Sequence, residues 1–590
     1  MTSNMQNPDR IQLTMEQAAL LERHGCTCPD WNRVRISPDT DLRLIRFCRF
    51  YGDVSIGSLL RGAEASEGLY NAVIADCNIG DNVYINNVGG RLYGLNIGSR
   101  VRIDNVGRIE AEPGASFGIG TEVSALDETG SRHVAIFPGI TSQIATLAAH
   151  RPRWAEQTLA GIIEPLLDKI PVLTIGDGAV ICDTRRIHNV CIGNGVVING
   201  ASNLKDGSII NNSHSSRGFA YIGQDVDAEH FIIEDACVDS GVLLRNCYVG
   251  QGVQLEKRFT AHDSLFFANS SCECGEACAI LAGPYTVTMH KSSLLIGGQY
   301  SFFNAGSGTN SSNHKYKLGP VHWGMMHRGV KTSSDAYIMW GGSIGAFSLL
   351  MGSHKQHPDT SLFPFSYLFG TPDGATVAAP ALMLKSCGLM RDQMKWPKRD
   401  RRVKARLPLH DNIHFEVLNP VTVEAMIKAI PVLDEISSAE CGTDGFCRYN
   451  GILIKPKSAK RAIELYSCAL AKYILAKQEE RKTVLPEITV TSQPATQYEW
   501  CDLGGQILPY DVVSKVREAS TLSEIQNLLD KAFAEYSAME LDWIDAVFSP
   551  EIMARLGNLE EASRRLDELV EQDRKDYLSA LSDHASKFSL

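Results

Sequence analysis

No stretch of eighteen or more uninterrupted apolar residues occurs in this 590-residue chain, so a helix crossing a bilayer is not expected. An excess of positive charge is also missing. Lys plus Arg is 57 against 68 Asp plus Glu, a net charge of −11, and no long basic run collects the cations. Neither nucleic acid nor an anionic membrane surface is therefore the expected partner. The first ten residues are polar, with no apolar core and no small-residue cleavage site, so no secretory leader is read. Without one, the 16 cysteines are expected as free thiols in a reducing cytoplasm rather than as a disulfide framework. The densest group, Cys272, Cys274 and Cys278, fits no zinc-ribbon or ferredoxin spacing and is expected as a buried thiol cluster.

What the chain does have is glycine, 50 against only 23 proline, spaced regularly through its first two thirds. The phrase Ile-Gly-x-x-Val or a close variant starts at Ile79, Ile97, Ile175, Ile192, Ile222 and Val249. Between these starts an aliphatic residue recurs every six positions: Ile79, Ile85, Ile97, Ile103 and Ile109 keep phase with only Arg91 out of character, and Ile175, Ile181 and Ile187 repeat the pattern. One inward aliphatic, a small neighbour and a turn per six residues describe a short strand and a corner. Three such units make one coil, whose inner face is buried only by the coils above and below.

These repeats resemble the hexapeptide-repeat, left-handed parallel β-helix proteins, a group that includes acyltransferases and γ-class carbonic anhydrases. The fold class implied is mainly β: a left-handed β-helix with a helical insertion and an α-helical C-terminal domain. The expected divisions are an N-terminal segment 1–44, β-helix 45–138, insertion 139–171, β-helix 172–404 and helical domain 405–590. The insertion is expected because Ile144, Leu147, Leu159, Ile162 and Ile163 follow helical rather than six-residue spacing. The basic stretch Lys395 to Lys404 is expected as a solvated connector. On the last helix, Leu566, Leu569, Val570, Leu578 and Leu581 form one stripe, expected against the body or another subunit. By resemblance, a homotrimer is implied.

Six of the 16 histidines, at 290, 314, 322, 327, 354 and 357, fall within one stretch that also carries Lys291, Lys317, Lys331 and Trp323. That density exceeds what coil corners require and places the candidate active site at about 270–370. The run Thr286-Val-Thr-Met-His-Lys291, Asn304-Ala-Gly-Ser-Gly308 and Ser312-Asn-His-Lys-Tyr-Lys-Leu-Gly-Pro-Val-His322 resembles a bacterial family of large β-helix proteins named as sugar-phosphate adenylyl- or thymidylyltransferases. Nucleotidyl transfer is nonetheless disfavoured, because Ala305-Gly-Ser-Gly-Thr309 sits inside the repeats with no βαβ unit around it.

Three chemistries stay open, beside a scaffold. Met351-Gly-Ser-His354, followed by Pro364-Phe365 and Phe369-Gly370, is similar to the loop of xenobiotic acetyltransferases, with Ser353 where Asn is usual. The resemblance implies His354 as general base for acyl transfer to a sugar or nucleotide-linked sugar, with acyl-coenzyme A as donor. His314, His322 and Asp359 would share the catalytic site, and His290, Lys291, Asn313, Lys317, Trp323 and Lys331 would bind substrate. A second chemistry is a divalent metal on His290, His322 and His327, as in the γ-carbonic anhydrases. A third pairs carboxylates such as Glu273, Glu276, Asp335 or Asp359 for sugar hydrolysis or elimination. The non-enzyme reading is a trimeric scaffold or carbohydrate-binding module, with Asn86, Asn87, Asn189, Asn199, Asn211 and Asn212 merely satisfying coil corners.

Overall fold

A computed structural model describes residues 10–61, 67–130, 132–168, 174–213, 220–312, 323–484 and 499–588. Short parallel strands dominate up to residue 370, and helices dominate beyond 380. The six-residue aliphatics fall on top of one another in the parallel register: Ile85 pairs with Ile103, Ile103 with Ile181, Ile181 with Ile198 and Ile198 with Ile222, each at most 1% exposed. Each residue is thus buried by its counterparts in the neighbouring coils, which is why a repeat of such short strands holds together. Arg91 is out of phase because Gly89-Gly90 lengthens the corner by one residue. Leu92 takes the inward position, pairing with Ile74 and Ile109, and Arg91 turns out to Glu110.

Corners need left-handed backbone, and asparagine or aspartate supplies it at Asn71, Asn87, Asn105 and Asp183 (φ 47–55°). Their side chains bond in file, Asn71 to Asn87 at 3.1 Å, Asn87 to Asn105 at 3.0 Å and Asn105 to Asp183 at 2.6 Å, so the polar corners satisfy each other from coil to coil.

The direct pairing of Ile103 with Ile181 shows that the coils continue uninterrupted across the intervening residues. Among those residues, Glu122–Val123 and Val134–Ala135 form a two-stranded hairpin outside the coil, followed by two helices, α1 (Ser142–His150) and α2 (Pro152–Leu167). Thr141 caps α1, and eight of its nine residues are buried against the coil and a later hairpin, Trp500–Leu503 with Gln506–Pro509. Ser142 donates to Gly504 O at 2.5 Å and Gln143 to the same oxygen at 3.1 Å, so the insertion and the C-terminal region clasp each other.

The basic stretch is only partly solvated. It forms α3 (Cys387–Lys398) and α4 (Arg401–Lys404), laid on the coil surface. Arg402, 2% exposed, pairs with buried Asp400 through two nitrogens at 3.1 and 2.9 Å, and Arg401 reaches Gly252 O and Ser271 Oγ. Apolar Trp396 and the buried Asp400–Arg402 pair anchor the stretch to the body, while Lys398, Arg399 and Lys404 stay exposed. Beyond them, α5 (Pro420–Ser438), α6 (Pro456–Val484) and the final helix α7 (Leu559–Phe588) pack together. Only the first half of the expected stripe on α7 is used: Leu566 is 4% exposed, whereas Leu578 and Leu581 are 51% and 50% exposed.

The thiols are corrected in one place. Cys441 and Cys447 are joined as a disulfide, because the tight loop 441–447 brings their Cα atoms to 4.9 Å. The other 14 cysteines are free; burial raises the Cys272 thiol and pushes Cys278 up to about 12, so these two are inert as thiolates.

Candidate functional site

Asparagine gives way to aromatic residues at left-handed corners toward the C-terminal coils. Tyr285, Phe302, Phe347 and Phe365 have φ of 58°, 49°, 57° and 61°. Bulky side chains at such angles cost on the order of 1–3 kcal/mol each, and persist where the surroundings hold them. Here they stack in file: Tyr285 on Phe302 with centroids 5.3 Å apart, Phe347 on Phe365 at 5.4 Å. Trp396 of α3 closes the file edge-on at 4.7 Å from Phe302, and the Tyr285 hydroxyl fixes it by donating to Trp396 O at 3.0 Å. Arg328, 3% exposed, lies 4.6 Å from the centre of the Phe302 ring.

Between this aromatic file and α3–α4 lies a cleft of about 440 Å³. Four cations line it, Lys331, Arg399, Arg401 and Lys404, against one carboxylate, Asp392. Lys331 is ion-paired to Asp392, and Arg401 is bonded to the coil. Arg399 and Lys404 are exposed, with no ion pair among the described residues. A locally positive cleft on a chain of net charge −11 suits an anion; the Tyr285 and Phe302 rings of its wall are stacked on one another and 6% and 2% exposed, so they shape the cleft rather than offer a free face.

None of the stretch's histidines among the described residues lines this cleft. His354 is fully buried: its Nδ1 lies 2.9 Å from Thr376 Oγ1, its Nε2 has no partner, and burial lowers its pKa to about 4. An acceptor from solution cannot reach that ring, so the expected acyl-transfer base is a core residue in this conformation. His290 and Lys291 are exposed at the corner after strand Val287–Thr288, whereas His327 follows strand Gly324–Met326 at a different corner. The proposed metal set is therefore not assembled from His290 and His327, and no group of three His, Cys, Asp or Glu suited to a metal occurs among the described residues. His314, His322, Asn313 and Lys317 lie outside the described residues. Of the expected binding residues that are described, only Lys331 lines the cleft.

Two expected residues meet elsewhere, on the outer face of the same coils. His327 Nε2 lies 2.9 Å from Ser343 Oγ, and Ser343 is bridged to Asp359 on the next coil. Trp323 is packed edge-on against His150 at the end of α1, with Arg132 over its ring. His150 Nε2 bonds Gln299 Oε1 at 2.5 Å, and Arg328 joins the wall through Asp502 of the C-terminal hairpin at 2.8 Å. Sequence reasoning missed Tyr285, Phe302 and Trp396; phasing the corners would have flagged the two aromatics, since left-handed positions rarely hold bulky residues. It also missed Ser343, His150 and Asp502, for which no local signal exists.

The family model described as a domain of unknown function (DUF4954) matches residues 11–437, which takes in the coils, the insertion, α3–α4 and the start of the helical region. An uncharacterized protein of Treponema pallidum (strain Nichols) is 24% identical over 561 residues, covering 85% of this chain and 75% of the relative.

Proposed function

The chain belongs to the family described as a domain of unknown function (DUF4954), whose description carries no activity, and from the residues themselves we propose a transferase acting on a sugar or nucleotide-linked sugar. The observation that carries this reading is the cleft beside α3–α4, where Arg399 and Lys404 are exposed without ion pairs among the described residues, cations that a phosphate or pyrophosphate would engage. The repeat phase, the parallel stacking of its aliphatics and the left-handed corners support a left-handed β-helix as the scaffold. A homotrimer in the cytoplasm remains part of the proposal. With His354 enclosed, acyl transfer needs a base other than His354, and acyl-coenzyme A is proposed only as a donor class. The enclosure of His354 also favours a second reading, a carbohydrate-binding module without catalysis.

Thermal unfolding with glucose 1-phosphate or UDP-glucose tests the binding claim. Ligand at 100 times its dissociation constant stabilises the folded state by about 2.7 kcal/mol. The melting temperature is expected to rise with one of these probes, and Arg399→Ala/Lys404→Ala is expected to abolish the rise while leaving the unliganded protein unchanged. No rise with either probe removes the sugar-phosphate reading.

A further inference from the structure

A different place carries a reactive centre. We propose that Ser343 and His327 form a nucleophile and base that take a short acyl group from an ester or thioester. This does not depend on what the aromatic cleft binds.

Ser343 stands in a column of outward residues at one position of successive coils, in the order Gln299, Met325, Ser343 and Asp359. His327 lies two residues beyond Met325 on the same strand line, which turns its ring toward the next coil and brings Nε2 to 2.9 Å from Ser343 Oγ. Several hydroxyls of these coils serve the backbone, and the one other that meets an imidazole here, Thr376 against His354, is buried in the core. Ser270 and Thr286 both donate to Gly283 O, and Ser366 to Phe363 O. The Ser343 hydroxyl instead meets an imidazole, which is the arrangement that activates a serine.

The groups around His327 suit a base. From the coil it faces Asp359; from the hairpin, Asp502, which Arg328 holds at 2.8 Å; from α1, His150, held on Gln299. Burial and the neighbouring His150 lower the His327 pKa, burial being the larger cause, so the ring is neutral and able to accept a proton near pH 7. Asp502 and Asp359 act in the opposite sense and would stabilise the imidazolium once that proton has moved. The slot that His327 lines with Gln299, Met325, Asp502 and Gly504 has about 20 Å³ of free volume, room for a group the size of one water. Ser343 is not part of that lining, so the space suits the water that deacylates Ser343 rather than the acyl group itself.

The step is balanced without a further reactant. Ser343 Oγ bonds to the acyl carbon and its proton passes to His327 Nε2. The bond from that carbon to the alkoxide or thiolate breaks, and the leaving group departs as alcohol or thiol with the proton from His327. An incoming hydroxyl or water, deprotonated by His327, then takes the acyl group and frees Ser343.

The test is incubation of the full chain with p-nitrophenyl acetate, following p-nitrophenolate release and mapping the acetyl group by peptide mass spectrometry. Acetylation at Ser343 is expected. Ser343→Ala should lose the adduct entirely, and His327→Gln should slow its formation by about 10²-fold or more. The wild-type rate should follow one ionisation below the ordinary histidine value, and that dependence should vanish in His327→Gln. Thermal melts of both variants control for folding, with Ser343→Cys as a second variant whose thiol should be acetylated in place of the hydroxyl. An adduct confined to surface lysines, or a Ser343 adduct whose rate is indifferent to His327→Gln, overturns the proposal. The response to UDP-glucose should be unchanged in Ser343→Ala, so failure here and failure of the cleft reading are told apart.

Discussion

Removing the Arg328 guanidinium should unlatch the C-terminal hairpin from the coils. Arg328 is 3% exposed and donates to Asp502 Oδ2 at 2.8 Å, to Gly505 O at 2.8 Å and to His414 O at 2.5 Å, while covering the Phe302 ring. Arg328→Met keeps most of the packed length but leaves Asp502, with 15% side-chain exposure, facing no cation, and removes the guanidinium bond to His414 O, while Gly505 O keeps its bond from His414 N at 3.0 Å. Breaking a buried ion pair from one side costs about 3–5 kcal/mol, much of it the desolvated charge left behind. The chain is too large for a single two-state unfolding energy, so the assay is amide exchange at 499–509 under native conditions. An opening energy reduced by about 3 kcal/mol accelerates exchange by about 10²-fold. Adding Asp502→Asn should recover much of that loss, because the stranded charge is gone. Acceleration under about fivefold in Arg328→Met, or no recovery in the double variant, would refute the claim that this pair latches the hairpin.

The buried histidines predict acid sensitivity. Burial holds His354 at about 4 and His414 at about 3, against an unfolded value near 6.5, so the unfolded chain binds protons first and stability falls as pH drops from about 6.5 toward 4. Denaturant midpoints across that window should show the decline, and His354→Gln should shallow it. On α7, Leu566→Ala should cost about 2–5 kcal/mol by creating a cavity, whereas Leu581→Ala, at a half-exposed position, should stay within about 0.5 kcal/mol; equal effects in a thermal melt would contradict the packing described.

Much of the coil was legible from local spacing. Because each inward aliphatic needs only its counterpart one coil away, the register Ile85, Ile103, Ile181 recurs in the linear pattern, and loss of that phase after residue 139 exposed the helical insertion. The corner asparagines were legible only in part: Asn87 and Asn189 take left-handed backbone, whereas Asn86, Asn199, Asn211 and Asn212 do not, and Asn71, Asn105 and Asp183 fill corners instead.

The site was decided by distance in space. His354 and His327 look alike in sequence, one beside Gly352-Ser353 and the other beside Met326. Strand parity turns the first into the core against Thr376, and places the second outside against Ser343. The cations of α3–α4 read as a connector because charge runs usually face solvent; Trp396 and the buried Asp400–Arg402 pair place some of them beside the aromatic corners Tyr285 and Phe302, far earlier in the chain. A repeating local rule can be read from one sequence. A cleft or a serine–histidine pair built between coils, helices and a distant hairpin has no local rule to betray it, because its partners meet only after the chain has closed around them.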